Sequence, residues 1–380
     1  MKFYTVEENK KSIHKVFAIY YICMAIFCLI RISSTIDGLY ADGIAGDIIF
    51  TLLIQVVVLF LLPFALYSIK LRVKPREVFE HCNFFRINFT VILISVGLGI
   101  LCFIINVAVS SLFNGILIFT GYEFPSSGSG IADYSIGNFF LQVFLVAFLP
   151  AVCEEFLHRG ILLQGIKHAG FKKAIVISSL LFALMHFNIQ QVAYAFVIGL
   201  ILGFVSVVAK NIYPAMIIHF VNNFIATYIS FAEYRGWVFG DILDRLQNFL
   251  TTNNSVVVFF SVSIVMLIVV ALLCLLIWLL YKQAIVRKVN KAINKAYENF
   301  SGFNQDKPIH VGAEHEVMME LLERNTLLNL DFKPMDNPID IVLPKERSRY
   351  KLTKKDRIFL WGAIVLGGLI TLFTYIWGLM

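Results

Sequence analysis

The sequence predicts an all-α fold: a polytopic membrane helix bundle of about nine transmembrane helices, with its N-terminus cytoplasmic. Three observations predict it. The 380 residues are 59% hydrophobic and 15% charged, with a mean hydropathy of +0.79, far above an ordinary soluble domain. Apolar runs close to the ~20 residues that a bilayer needs recur along the chain. The connections between them alternate between basic and non-basic.

The runs cover approximately residues 16–32, 48–69, 88–118, 136–164, 173–188, 191–209, 212–231, 255–281 and 358–379. The segment before the first, MKFYTVEENKKSIHK, is too polar for a signal peptide, so the first run is expected to stay as a helix. The third is long and interrupted by Gly97 and Gly99. Lys10, Lys11 and Lys15 place the N-terminus inside, and the 33–47 loop, with no Lys or Arg, outside. Lys70, Arg72, Lys74 and Arg76, then Lys167, Lys172 and Lys173, then Lys210, then Lys282 to Lys295 mark further inside connections. GYEFPSSGSGIADYS and residues 232–254 mark outside ones. The expected location is integral and multi-pass, in a bacterial cell membrane.

The net charge of +7 sits in these short connections. It sets orientation and suits anionic headgroups, so membrane lipids are expected partners and nucleic acid is not. Six cysteines show no CxxC pair and read as free, mostly buried thiols. Residues 282–357 are the one long polar stretch. YKQAIVRKVNKAINKAYENF reads as a basic amphipathic helix on the inner leaflet, HEVMMELLERNTLL as a second short helix, and FKPMDNPIDIVLPKE as linker.

Chemistry enters at CEEFLHRG, residues 153–160, after the uncharged run GNFFLQVFLVAFLPAV. Helical residues advance by ~100°, so Glu154 and Glu155 do not share a face. Arg159 lies four residues after Glu155, a favourable pairing, and His158 lies four after Glu154. Glu155 is therefore expected to be neutralised by Arg159, while Glu154 points elsewhere with less compensation. His158 has no assigned role. FALMHF puts Phe182 and His186 on one helical face, and IIHFVNNF does the same for His219 and Asn223. Lone polar residues such as Gln55, Asn106 and Gln142 read as interhelical hydrogen-bonding groups.

A hairpin turning near Gly170 puts Glu154 and His186 equally far from the turn, ~24 Å at 1.5 Å per residue. His219 is only ~12 Å beyond the turn near Asn211, so the depths match only if the first hairpin extends a few turns past the membrane surface. A carboxylate beside imidazoles and away from bulk water can act as a general base. Imidazole and carboxamide donors can stabilise an oxyanion. Together these make an amide hydrolase. Alternatively Glu154, His186 and His219 form a two-histidine, one-carboxylate set that suits Zn²⁺. The residues alone leave both open.

EEFLHR, FALMH and HFVNN resemble the EExxxR, FxxxH and HxxxN motifs, in order, of the CPBP family of intramembrane proteases, which includes the type II CAAX prenyl endopeptidases and bacteriocin-processing proteins. The resemblance covers residues 136–231. It implies Glu154 as the base that activates water, His186 as the residue that helps hold that water, and His219 and Asn223 as oxyanion stabilisers. Glu155, Arg159 and Phe182 would support them. It favours a glutamate-type hydrolase with no required cofactor, Zn²⁺ being the alternative. The substrate would be a membrane-associated peptide or protein, cut near the cytoplasmic side. A non-catalytic scaffold, with a membrane protein partner docking on the extra C-terminal helices, and a proton-coupled transporter are the rival expectations. The chain is thus expected to divide into N-terminal helices (1–135), catalytic core (136–231), outer loop and eighth helix (232–281), cytoplasmic basic segment (282–357) and a last helix (358–380).

Overall fold

The computed structural model describes residues 13–33, 43–124, 133–301 and 351–379. Among the described residues every regular element is a helix. They are α1 (Ile13–Ser33), α2 (Gly43–Leu71), α3 (Pro75–His81), α4 (Phe89–Phe119), α5 (Ile136–Ala169), α6 (Phe171–Leu184), α7 (Ile189–Ala209), α8 (Tyr213–Arg235), α9 (Ile242–Thr252), α10 (Ser255–Ser301) and α11 (Lys354–Trp377). Eight are long and apolar enough to cross a membrane. This is an integral, multi-pass membrane protein.

The ninth expected span, 173–188, is α6. It has 14 residues, about 21 Å of helix, short of the ~30 Å hydrocarbon core. Its last residue, Leu184, packs against Gly367, near the middle of α11. A Cβ on Gly367 would lie 2.8 Å from Leu184 Cβ and 3.2 Å from its carbonyl oxygen, so only glycine permits this approach. Residues 185–188 then carry the chain onward outside a helix, through a left-handed Phe187 (φ 50°). Exposed backbone groups at membrane depth need partners. Here the Ile189 N–H donates to Thr374 Oγ1 (3.0 Å), in the last turn of α11.

Two other expectations change. α4 runs unbroken through Gly97 and Gly99. Gly99 instead lets α4 approach α8 closely, at Val221 and Ile218. The basic segment after residue 282 is not a separate helix, because α10 continues without a break to Ser301, 47 residues in all. HEVMMELLERNTLL and FKPMDNPIDIVLPKE lie outside the described residues. All six cysteines are free, five of them buried, with Cys274 exposed.

Two hydrophobic clusters hold the bundle together. One joins α1, α2, α5, α6 and α11 through residues such as Phe17, Leu59, Phe156 and Leu184. The other joins α4, α7, α8 and α10 through Leu98, Leu202, Ile218 and Leu280. A smaller group, Phe182, Ala183 and Ala195, lies apart from both on α6 and α7. The basic connections gather at one end. Lys15 Nζ donates to the Lys70 carbonyl, Asn211 Nδ2 to the Phe85 carbonyl and Asn88 Nδ2 to Gln283 Oε1. The opposite end joins Gln190 to Tyr122, Glu123 to Gly378 and Arg235 to the Tyr134 carbonyl.

Candidate active site

The site forms where α5 leaves regular α-helical geometry. α5 contains two π-helical segments, Val143–Phe148 and Phe156–Leu163, and α2 contains a third, Leu53–Leu61. Pro150 and Pro63 follow closely behind two of them. A proline has no N–H and crowds the carbonyl four residues back, which for Pro150 is that of Val146. That carbonyl accepts from Asn223 Nδ2 at 3.1 Å. In the other α5 segment the His158 carbonyl accepts from Ser178 Oγ (2.9 Å). Neighbouring side chains thus satisfy backbone groups in these segments.

The two glutamates separate as their angular positions require. Glu154 is half-buried, and its Oε1 accepts from Gln55 Nε2 at 2.9 Å. It lines a cavity of about 200 Å³ together with His158, Phe182, Met185 and His186. Glu154 and His186 therefore meet, as the equal arms of the hairpin predict. His186 Nδ1 donates to the Phe182 carbonyl (2.9 Å). Because a carbonyl only accepts, that bond places the proton on Nδ1 and leaves Nε2 an acceptor when the ring is neutral.

Glu155 is fully buried. Its Oε1 accepts from Arg159 Nη1 and from His219 Nδ1, both at 2.9 Å. Arg159 Nη2 donates to the Gly199 carbonyl (3.1 Å), and its guanidinium lies 4.4 Å from the centre of the Phe182 ring. Phe182 also makes edge contacts with His158, His186 and His219. It is the apolar spacer that keeps three imidazoles and a guanidinium apart. His219 and Asn223 are not among the cavity-lining residues. Asn223 also accepts from Asn222 Nδ2 (2.9 Å). As the sequence required for the depths to match, α5 extends past the 210–212 turn: Gly160 already packs on Cys82 and Ile212.

Three residues of the site were not singled out from the sequence. Gln55, read only as a generic hydrogen-bonding group, is the donor to Glu154. His158, left without a role, donates from Nδ1 to the Glu154 carbonyl (2.7 Å), and its Nε2 lies 3.1 Å from Tyr20 Oη. Tyr20 Oη in turn donates to the Leu181 carbonyl (2.9 Å). Gln55 and Tyr20 stand about a hundred residues or more before their partners, so no local spacing marks them. The only signal was that each is a hydrogen-bonding group in an apolar run.

A zinc site would need Glu154, His186 and His219 on one point. Among the described residues no group of three His, Cys, Asp or Glu side chains is placed to share a metal ion. The donor set does not converge as zinc requires.

Residues 136–225 match the family model described as Rce1-like, type II CAAX prenyl endopeptidase Rce1-like. The segment is Rce1-like. The match supports the CPBP resemblance carried by the three motifs and supports an intramembrane CAAX-type endopeptidase, a protease. Neither the curated proteins nor the solved structures give a match. The Rce1-like segment holds Glu154, Glu155, Arg159, His186, His219 and Asn223. Gln55, Tyr20 and Thr374 come from helices outside it.

Proposed function

We propose that the protein is a glutamate-type intramembrane endopeptidase that hydrolyses a peptide bond in a membrane-associated peptide or protein. One observation carries this reading: an under-compensated carboxylate, Glu154, faces a cavity shared with the free Nε2 side of His186. Water in that cavity can donate one hydrogen to His186 Nε2 and the other to Glu154. Glu154 takes the proton as the oxygen attacks the scissile carbonyl, then returns it to the leaving nitrogen. Gln55 holds the carboxylate in place.

In this reading His219 and Asn223 stabilise the oxyanion. Their partners constrain how. His219 commits Nδ1 to Glu155, so donation from Nε2 requires the doubly protonated ring. Asn223 gives one amide hydrogen to Val146, which leaves the other for substrate. Both must turn toward the cavity when substrate is bound. No metal takes part.

The test is cleavage of membrane peptides, read by mass spectrometry in cells carrying wild-type protein or Glu154→Gln. Products that vanish in the variant, with protein level unchanged, support the proposal. Identical peptide profiles in the two would sink it and favour a scaffold. Cleavage by the purified protein should also survive a strong chelator.

A further inference from the structure

We infer that α9 is an in-plane membrane anchor. It lies along the outer surface of the bilayer with Ile242, Leu243, Leu246, Phe249 and Leu250 set into the boundary between headgroups and acyl chains, on lipid of no particular charge. This surface is separate from the Glu154 cavity, and its partner does not depend on the chemistry there.

The sequence of α9 divides into two faces. At ~100° per residue, those five apolar side chains fall within about 120° of arc, and Asp244, Arg245, Gln247, Asn248, Thr251 and Thr252 fill the other side. A packed helix would cover such a face. Here no residue of α9 is buried, and Ile242, Leu243, Leu246 and Leu250 are exposed.

The chain on either side says what covers the stripe. α8 ends at Arg235 and α10 starts at Ser255, and both are membrane spans. The joint with α8 is a fixed turn. The Trp237 N–H donates to the Ala232 carbonyl (2.9 Å), Tyr228 Oη donates to the Val238 carbonyl (3.1 Å), and a Cβ on Gly240 would strike the Ala232 carbonyl. At the other end only Asn253 and Asn254 separate α9 from α10, and Asn254 Oδ1 accepts from the Val256 N–H (2.8 Å). With 11 residues, about 16 Å of helix, α9 is too short to cross the membrane and too closely tethered to leave its surface.

Neighbouring rings mark the same level. Tyr134 stacks on Tyr234 (3.9 Å), and Trp237 meets Phe139 edge-on (5.3 Å) and lies 5.9 Å from Tyr228. Tyr and Trp gather where headgroups meet acyl chains. Past Asn254 the apolar surface continues: Val256, Val257, Phe259 and Phe260 of α10 are exposed, and almost none of that span is buried inside the protein. The positive-inside rule makes this end, opposite the basic connections, the outer one.

Charge sets the kind of lipid. α9 and its N-cap carry Asp241, Asp244 and Arg245, with Asp241 and Arg245 paired at 2.6 Å. No excess of positive charge draws α9 to anionic headgroups, unlike the basic connections. Apolar area seats it, and zwitterionic lipid suffices.

The test reads depth in the bilayer. In a Cys274→Ala background the remaining cysteines are all buried. A nitroxide is attached in turn to Leu246→Cys, Leu250→Cys, Asp244→Cys and Asn248→Cys, all exposed positions where a cysteine disturbs no packing. Each folded protein is reconstituted in phosphatidylcholine vesicles. Collisions with oxygen, which concentrates in the bilayer, should exceed those with a water-soluble nickel chelate several-fold at the two leucine positions, and the order should reverse at the two polar positions. Chelate in excess at all four would put the helix in water. Oxygen in excess at all four would sink it into the hydrocarbon. Shielding from both at the leucine positions would put a second copy, or another protein, on the stripe. Each of these three results overturns the inference. Adding phosphatidylglycerol should leave the depth at Leu246→Cys unchanged; a depth reached only with that anionic lipid overturns the absence of a charge preference.

Discussion

Glu154 and Glu155 are neighbours on one helix, of one residue type, and the structure treats them oppositely. Glu155 has no exposed surface and meets a guanidinium and an imidazole. Glu154 is half-buried, meets one neutral amide and borders a cavity. The difference shows where function can reside. Glu155 is out of reach of water, whereas Glu154 is held by a single amide and borders a cavity. The locked residue fixes the geometry in which the other can react.

The largest expected effect tests the free member of the pair. Glu154→Gln keeps an oxygen for the Gln55 bond and removes only the base. Cleavage should fall by about 10²–10⁴-fold, the usual contribution of a general base, with thermal stability in detergent close to wild type. A variant that unfolded instead would make Glu154 a second structural glutamate and erase the contrast.

Next comes the locked member. Arg159→Met leaves the Glu155 carboxylate in a site with no exposed surface and without its guanidinium. Breaking a buried pair in this way costs about 3–5 kcal/mol. Thermal or denaturant unfolding of the detergent-solubilised protein measures it. Adding Glu155→Gln to the same chain should recover part of the loss, because the charge left alone is then gone. Additive losses would show that the two side chains act independently.

This contrast marks how far the sequence could be read. The split between the glutamates, the Glu155–Arg159 pair and the shared depth of Glu154 and His186 all follow from helical spacing and from arms of a hairpin measured from one turn. Such relations are local, or one turn removed. The bond from His219 to Glu155 depends on the rotation of α8 against α5, which no periodicity within either helix fixes. α6 stops at mid-depth where Gly367 of α11 lets Leu184 come close, and Gly367 is separated from it by the whole of α7 to α10. The apolar run 173–188 gives no sign of that stop. Pro150 is visible in the sequence, but its consequence, a Val146 carbonyl needing the Asn223 amide, appears only once α8 is placed.

A smaller effect tests whether helices outside the Rce1-like segment complete the site. Gln55→Leu removes the donor to Glu154 while keeping the volume. A hydrogen bond to a charged group is worth about 1.5–3 kcal/mol. The same substitution removes the buried, unpaired Gln55 Oε1, which offsets part of the cost to stability. The expectation is a fall in kcat of about ten-fold or more with little change in Tm. A fall in Tm with kcat intact would make Gln55 a packing residue.

The smallest effect concerns the last helix. Thr374→Val is close to isosteric and leaves the Ile189 N–H without its acceptor, at the end of the unwound stretch that carries His186. Losing one neutral hydrogen bond costs about 1 kcal/mol, so cleavage should drop by less than ten-fold. The position of the loss is more informative than its size. Amide exchange should quicken at residues 185–190 and not along α8, because His219 is held by Glu155 and not by α11. Equal quickening on both would mean that His186 and His219 move as one unit, and the difference between the reactive side of the site and its locked side would then be one of charge alone.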